Sequence, residues 1–150
     1  DEAVESGLYS VAWPARFEVL HTDDPWFVLD GGHNPQCAAT LRECLEHYFP
    51  DSKRVALVGV LKDKDYKSIA ATLAPLFDAC VCVTPPSERA LPAEELAELF
   101  KDSCREVCVA DTVEDGVDLA RDIAQEQDAM VCAFGSLYIC GQIRSCFGLR

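Results

Sequence analysis

Trp26-Phe27-Val28-Leu29-Asp30-Gly31-Gly32-His33-Asn34-Pro35-Gln36 is the stretch from which the fold can be read. An apolar run ends in a carboxylate, two glycines and a histidine, and an Asn-Pro pair follows. Asn34 offers a side-chain oxygen to the first free N–H groups of a helix. Pro35 suits the first helical position, where no N–H is needed. The stretch therefore reads as strand, glycine turn and helix N-terminus. Such a turn sets polar groups and backbone donors around an anion. On pattern alone a second interpretation stays open, an ordinary βα turn whose Asp30 and His33 are merely solvated.

Working upstream, residues 16–21 alternate as a half-buried strand does, and Thr22-Asp23-Asp24-Pro25 turns that strand into an antiparallel hairpin with residues 27–29. Residues 1–12 read as a short helix and connector. Downstream the chain alternates. Ala38, Leu41, Leu45 and Tyr48 mark an amphipathic helix over 35–48, closed near Pro50. Residues 54–61 form a continuous apolar run, as expected of a strand buried on both faces. A helix over 65–75, a strand over 79–84, a helix from Pro92 to about Lys101 and a strand over 106–110 follow. A helix over 113–126, a strand over 129–134 and a last helix from Ser136 complete the pattern. This β/α alternation predicts an α/β fold: a mostly parallel six-stranded sheet with one antiparallel edge strand and helices on both faces.

Composition bounds the function. A chain of 150 residues, 49% hydrophobic, suits one domain with a real core. No apolar run approaches the roughly 20 residues of a membrane helix, and the acidic N-terminus is not a signal or transit peptide. A net charge of −13 argues against a nucleic-acid partner. Nine cysteines lie mostly in apolar segments or on helices, where they act as small core residues in a reducing cytoplasm. There is no C-x-x-C pair. Cys44 with His47, and Cys104 with Cys108, lack a second pair to complete a metal site, so no metal ligands are assigned.

Ligands bind outside the carboxyl ends of parallel strands, so the residues after each strand form the candidate rim. These are Asp30 to His33, then Lys62, Asp63, Lys64 and Asp65, then Pro85, Pro86 and Ser87, then Asp111 and Thr112, and finally Gly135 and Ser136. Each also has a plain structural reading. Asp30, Asp111 and Ser136 can cap helices, the lysine loop can be a solvated turn, and His33 can be hydrogen-bonded structure. The chain has no G-x-x-x-x-G-K-[ST] loop, no G-x-G-x-x-G after a strand and no G-x-S-x-G elbow. The rim reads as half of a site.

Several motifs resemble, in order, the C-terminal domain of folylpolyglutamate synthase/dihydrofolate synthase, a member of the Mur ligase superfamily. They are Trp13-Pro14-Ala15-Arg16-Phe17-Glu18, Leu29-Asp30-Gly31-Gly32-His33-Asn34-Pro35, Gly59-Val60-Leu61-Lys62-Asp63-Lys64-Asp65-Tyr66, Arg89-Ala90-Leu91-Pro92 and Phe134-Gly135-Ser136-Leu137-Tyr138. The resemblance covers about residues 7–145. It implies a three-layer Rossmann-like domain over 13–150, preceded by a connector (1–12) from an N-terminal P-loop domain that holds most Mg²⁺ ligands and the folate pocket. It implies ATP-dependent ligation of L-glutamate to folate or dihydropteroate through an acyl phosphate, with the isolated domain inactive.

Carried over by motif, the resemblance sets Arg16 and Asp30 against ATP and His33 and Ser136 on the glutamate and acyl-phosphate side, as catalytic residues. Lys64 would contact phosphate or assist domain closure. It also implies a cytoplasmic monomer. The family often has Gly where this chain has Ala15, and Ala where it has Gly32, a change expected to loosen the turn that aims His33. The alternatives are the C-terminal domain of a peptidoglycan amino-acid ligase of the Mur type and a stand-alone α/β binding module.

Overall fold

The computed structural model describes residues 17–22 and 25–149. The connector expected over 1–12, the Trp13 to Arg16 segment and the Asp23-Asp24 tip of the hairpin lie outside the described residues. The strands are β1 (Glu18–His21), β2 (Phe27–Asp30), β3 (Lys53–Val58), β4 (Ala79–Cys82), β5 (Glu106–Val109) and β6 (Ala129–Phe134). The helices are α1 (Pro35–Tyr48), α2 (Tyr66–Leu73), α3 (Ala93–Glu98), α4 (Val113–Gln127) and α5 (Leu137–Cys146), with a 3₁₀ turn at Ala74–Leu76. The sheet runs β1-β2-β6-β3-β4-β5. Its β1–β2 edge pair is antiparallel and the other pairs are parallel, so the expected sheet is found.

Chain order and sheet order together fix the layers. From β2 to β3, β4 and β5 the chain steps one way across the sheet, and right-handed crossovers then put α1, α2 and α3 on a single face. Their buried residues, among them Leu41, Leu45, Leu73 and Leu96, pack with Val28, Ala56, Val58 and Phe134. From β5 the chain steps back past β4 and β3 to β6, which puts α4 on the opposite face. There Val117, Ile123, Ile139 and Ile143 pack on Phe27, Leu29, Leu57, Val81 and Val131. Successive strand residues feed opposite layers, so the central strand β6 is buried throughout.

Local chemistry starts and stops these elements. Asn34 Oδ1 accepts the Cys37 N–H at 2.8 Å with Pro35 in the first turn, as the sequence predicts. Thr112 caps α4, which ends at Asp128 in the left-handed conformation (φ 55°). Pro75 lacks an N–H and converts the expected helix over 65–75 into α2 plus the 3₁₀ turn. The expected helix from Pro92 to Lys101 is regular over Ala93–Glu98, while the helix over 113–126 runs one residue longer.

The apolar runs overstate the strands. Residues 59–61 leave the ladder after Val58, because Leu91 N–H donates to Val60 O and Leu61 pairs with Ala90, burying Val60 and Leu61 beneath a loop. The ladder likewise stops at Cys82 and Val109. Phe17 precedes β1 at φ 47° and turns into the core against Tyr48 and Phe49, so it is not part of the alternating strand.

Candidate functional site

Phe134 pairs in register with Asp30 on one side and with Val58 on the other. The three chains therefore leave the sheet at one level. From β2 and β3 the chain continues to helices on one face, and from β6 to α5 on the other. Neighbouring strands whose connections part in this way open a crevice between them, where α/β sheets hold ligands. The strand order thus brings the turn Asp30 to His33 and the Gly135-Ser136 turn to one edge, beside the chain that leaves β3.

Gly135 makes this junction possible. Its φ is +115°, and a Cβ built on it would stand 2.4 Å from the Gly59 carbonyl oxygen. The β6–α5 turn can press against the β3 loop because there is no side chain between them. Ser136 follows with 1% of its surface exposed, and its Oγ accepts the Tyr138 N–H at 3.0 Å. The capping role foreseen for Ser136 is therefore present.

Asp30 is half-buried, and its Oδ1 accepts the Gly32 N–H at 2.8 Å. It does not cap α1, since Asn34 does. Gly32 has an ordinary φ, and a Cβ on it would meet Cys37 Cβ at 2.6 Å. The glycine thus permits the close approach of α1 to the turn, beside the bond to Asp30. The Asp30 charge reaches thiols on three elements. Burial pushes Cys140 up to about 12, with Asp30 and Glu18 adding to the rise. Burial likewise raises Cys44 and Cys132, with Asp30 contributing.

His33 is half-buried, and its Nδ1 lies 3.3 Å from Gly31 O. A carbonyl can only accept, so this contact assigns the proton to Nδ1 and leaves Nε2 as an acceptor in the neutral ring. The plain reading of His33 as hydrogen-bonded structure is met through one nitrogen.

Lys62 is exposed and Lys64 half-buried, in the loop between β3 and α2. Arg16 lies outside the described residues. Asp111 and Thr112 belong elsewhere. Strands β3 and β4 intervene between β6 and β5, a separation of about 14 Å at the usual strand spacing. Thr112 caps α4 there. The full set of strand ends therefore does not converge, and the crevice is built by β2, β6 and β3.

Among the described residues no group of three His, Cys, Asp or Glu side chains is placed to hold a metal ion. A concavity of about 510 Å³ lies at the opposite end of the strands, between Trp26, Asp51, Lys53, Gln127 and Met130, remote from the crevice. Sequence reasoning gave no role to Arg89 although it lies in a quoted motif. Its Nε and Nη2 both donate to Asp63 Oδ2, at 2.9 and 2.5 Å.

A doubly covered, mostly parallel sheet with a polar crevice at its switch point defines a doubly wound α/β domain. Residues 15–137 match the family described as Mur ligase, glutamate ligase domain, and the chain belongs to that family. It is 34% identical to the dihydrofolate synthase/folylpolyglutamate synthase of Mycobacterium tuberculosis, over 98% of this chain and 33% of the relative. It is 32% identical to the folylpolyglutamate synthase of Lacticaseibacillus casei, over 94% of this chain and 31% of that protein.

The M. tuberculosis folylpolyglutamate synthase structure complexed with ADP and AMPPCP superposes with a TM-score of 0.84 at 31% identity, over 99% of this chain and 35% of that one. The bifunctional Yersinia pestis enzyme complexed with AMPPNP and a Mn ion gives 0.81 at 30% identity, over 99% and 35%. The chain thus spans about a third of these relatives, and it is similar to their C-terminal domain.

Proposed function

We propose that this chain is the glutamate-ligating C-terminal domain of a folylpolyglutamate synthase/dihydrofolate synthase, completed by an N-terminal domain that carries a P-loop. The observation that carries the proposal is the crevice between β2, β6 and β3. There the ends of β2, β6 and β3 lie side by side, followed in sequence by Asp30 to His33, by Gly135-Ser136 and by the lysine loop, in a chain without a phosphate-binding loop. In the reaction ATP phosphorylates a folate or dihydropteroate carboxylate. The amine of L-glutamate then attacks the acyl phosphate, an amide bond forms, and phosphate leaves.

The residues of this chain suit one wall of that site. A carboxylate repels phosphate, so Asp30 serves the hydroxyl or amino donors of the nucleotide, while Arg16 and Lys64 serve its phosphates. His33 presents Nε2, and Ser136 the start of α5, to the glutamate and acyl-phosphate side. In this reading most of the Mg²⁺ ligands belong to the other domain. The nine free thiols fit a reducing cytoplasm, and a monomer of two domains suffices for the chemistry.

The test is ATP-dependent incorporation of L-glutamate into folate by the intact protein. Asp30→Ala and His33→Ala are each expected to lower ligation about 100-fold or more. Circular dichroism and the urea midpoint should report an intact fold. Ligation at wild-type rates in either variant would refute the assignment of that residue.

A further inference from the structure

The loop after β3 reads Lys62-Asp63-Lys64-Asp65, two cations and two anions in alternation. The structure commits both carboxylates elsewhere. Asp65 caps α2: its Oδ1 accepts the Ser68 N–H at 3.3 Å and its Oδ2 the Ser68 hydroxyl at 2.8 Å. Asp63 is held by the two Arg89 donors on its Oδ2. The Arg89 backbone fixes the partnership, because Arg89 O accepts the Lys62 N–H at 2.8 Å, Ala90 bridges to Leu61 and the Leu91 N–H reaches Val60 O at 3.0 Å. Among the described residues neither Lys62 nor Lys64 makes a side-chain ion pair.

The Arg89–Asp63 pair is half exposed, at 49% and 48% of the two side chains. Such a pair adds little to stability. The hydrogen bond from Arg89 above all holds the Asp63 carboxyl below its usual range, and the nearby Lys64 charge adds to this. With Arg89 gone, Asp63 would turn to the lysines beside it.

We propose that Arg89 is a positioning residue of the ligase reaction. By engaging Asp63 it keeps that carboxylate off Lys64, which stays available to a phosphate or carboxylate entering the crevice. The proposal rests on the function given above.

The experiment uses the intact protein and reads KM for ATP and for L-glutamate separately. Lys64→Ala raises one of the two and so identifies the anion. Arg89→Ala, or Arg89→Gln, raises the same constant about fivefold with kcat nearly unchanged. Asp63→Asn alone leaves it within about twofold, and combined with Arg89→Ala it restores the wild-type value, because the released side chain no longer carries charge. Glu88→Gln in the Arg89→Ala background makes the same charge change one residue away and gives no recovery.

The proposal is overturned if Lys64→Ala or Arg89→Ala changes neither constant, if Asp63→Asn does not restore Arg89→Ala, or if Glu88→Gln restores it equally. Absence of ligation by the wild-type protein overturns the proposed function and this inference together, so the two failures are distinguished.

Discussion

Gly135 carries the chain off β6 at φ +115°, and any larger residue would drive a Cβ into the Gly59 carbonyl. Gly135→Ala combines backbone strain with overpacking and is expected to cost about 3 kcal/mol, measured as a loss in urea denaturation of the intact protein. The sequence places Gly135 after the last strand but does not show that Gly59 approaches it, because the two meet only through sheet order. The same limit hid Arg89. Its partner Asp63 lies in another loop, and neither residue has a local signature. His33 was legible as a candidate because the turn that holds it is contiguous.

At the scale of elements the Asn34 cap was legible, because its bond to the N–H three residues on follows from the Asn-Pro pair. The cap expected of Asp111 falls instead to Thr112, whose Oγ1 accepts the Asp115 N–H. Asn34→Ala and Thr112→Ala should each lose about 1 kcal/mol in urea denaturation. Thr112→Ala should leave ligation unchanged, since it follows β5, with β4 between it and the crevice. Strand ends were less legible. Val60 and Leu61 are as apolar as the strand before them, and burial under a loop leaves the same composition as burial in a sheet. Arg54 shows how another boundary is held. Its guanidinium donates to Phe49 O at 2.7 Å and Leu76 O at 3.1 Å, tying the end of α1 and the 3₁₀ turn to the start of β3.

For the whole molecule, buried thiols in both layers link stability to pH. Burial pushes Cys104 up to about 11 and Cys140 up to about 12, from an ordinary value of 9.0. A raised pKa in the folded state leaves stability intact below the unfolded value and removes it as pH climbs toward the folded one. The urea midpoint should therefore hold between pH 7 and about 9 and fall above it, and Cys140→Ala should fall less steeply. Alternation of strands and helices was enough to foresee the layers. It could not foresee that β6 sits between β2 and β3, since that follows from which crossover turns back. That placement has a consequence for synthesis on the ribosome. The middle of the sheet is the last strand to emerge, so β2 and β3 each keep one edge unpaired until residues 129–134 arrive. The nascent domain cannot close from its N-terminal end, and its most apolar edges stay open longest.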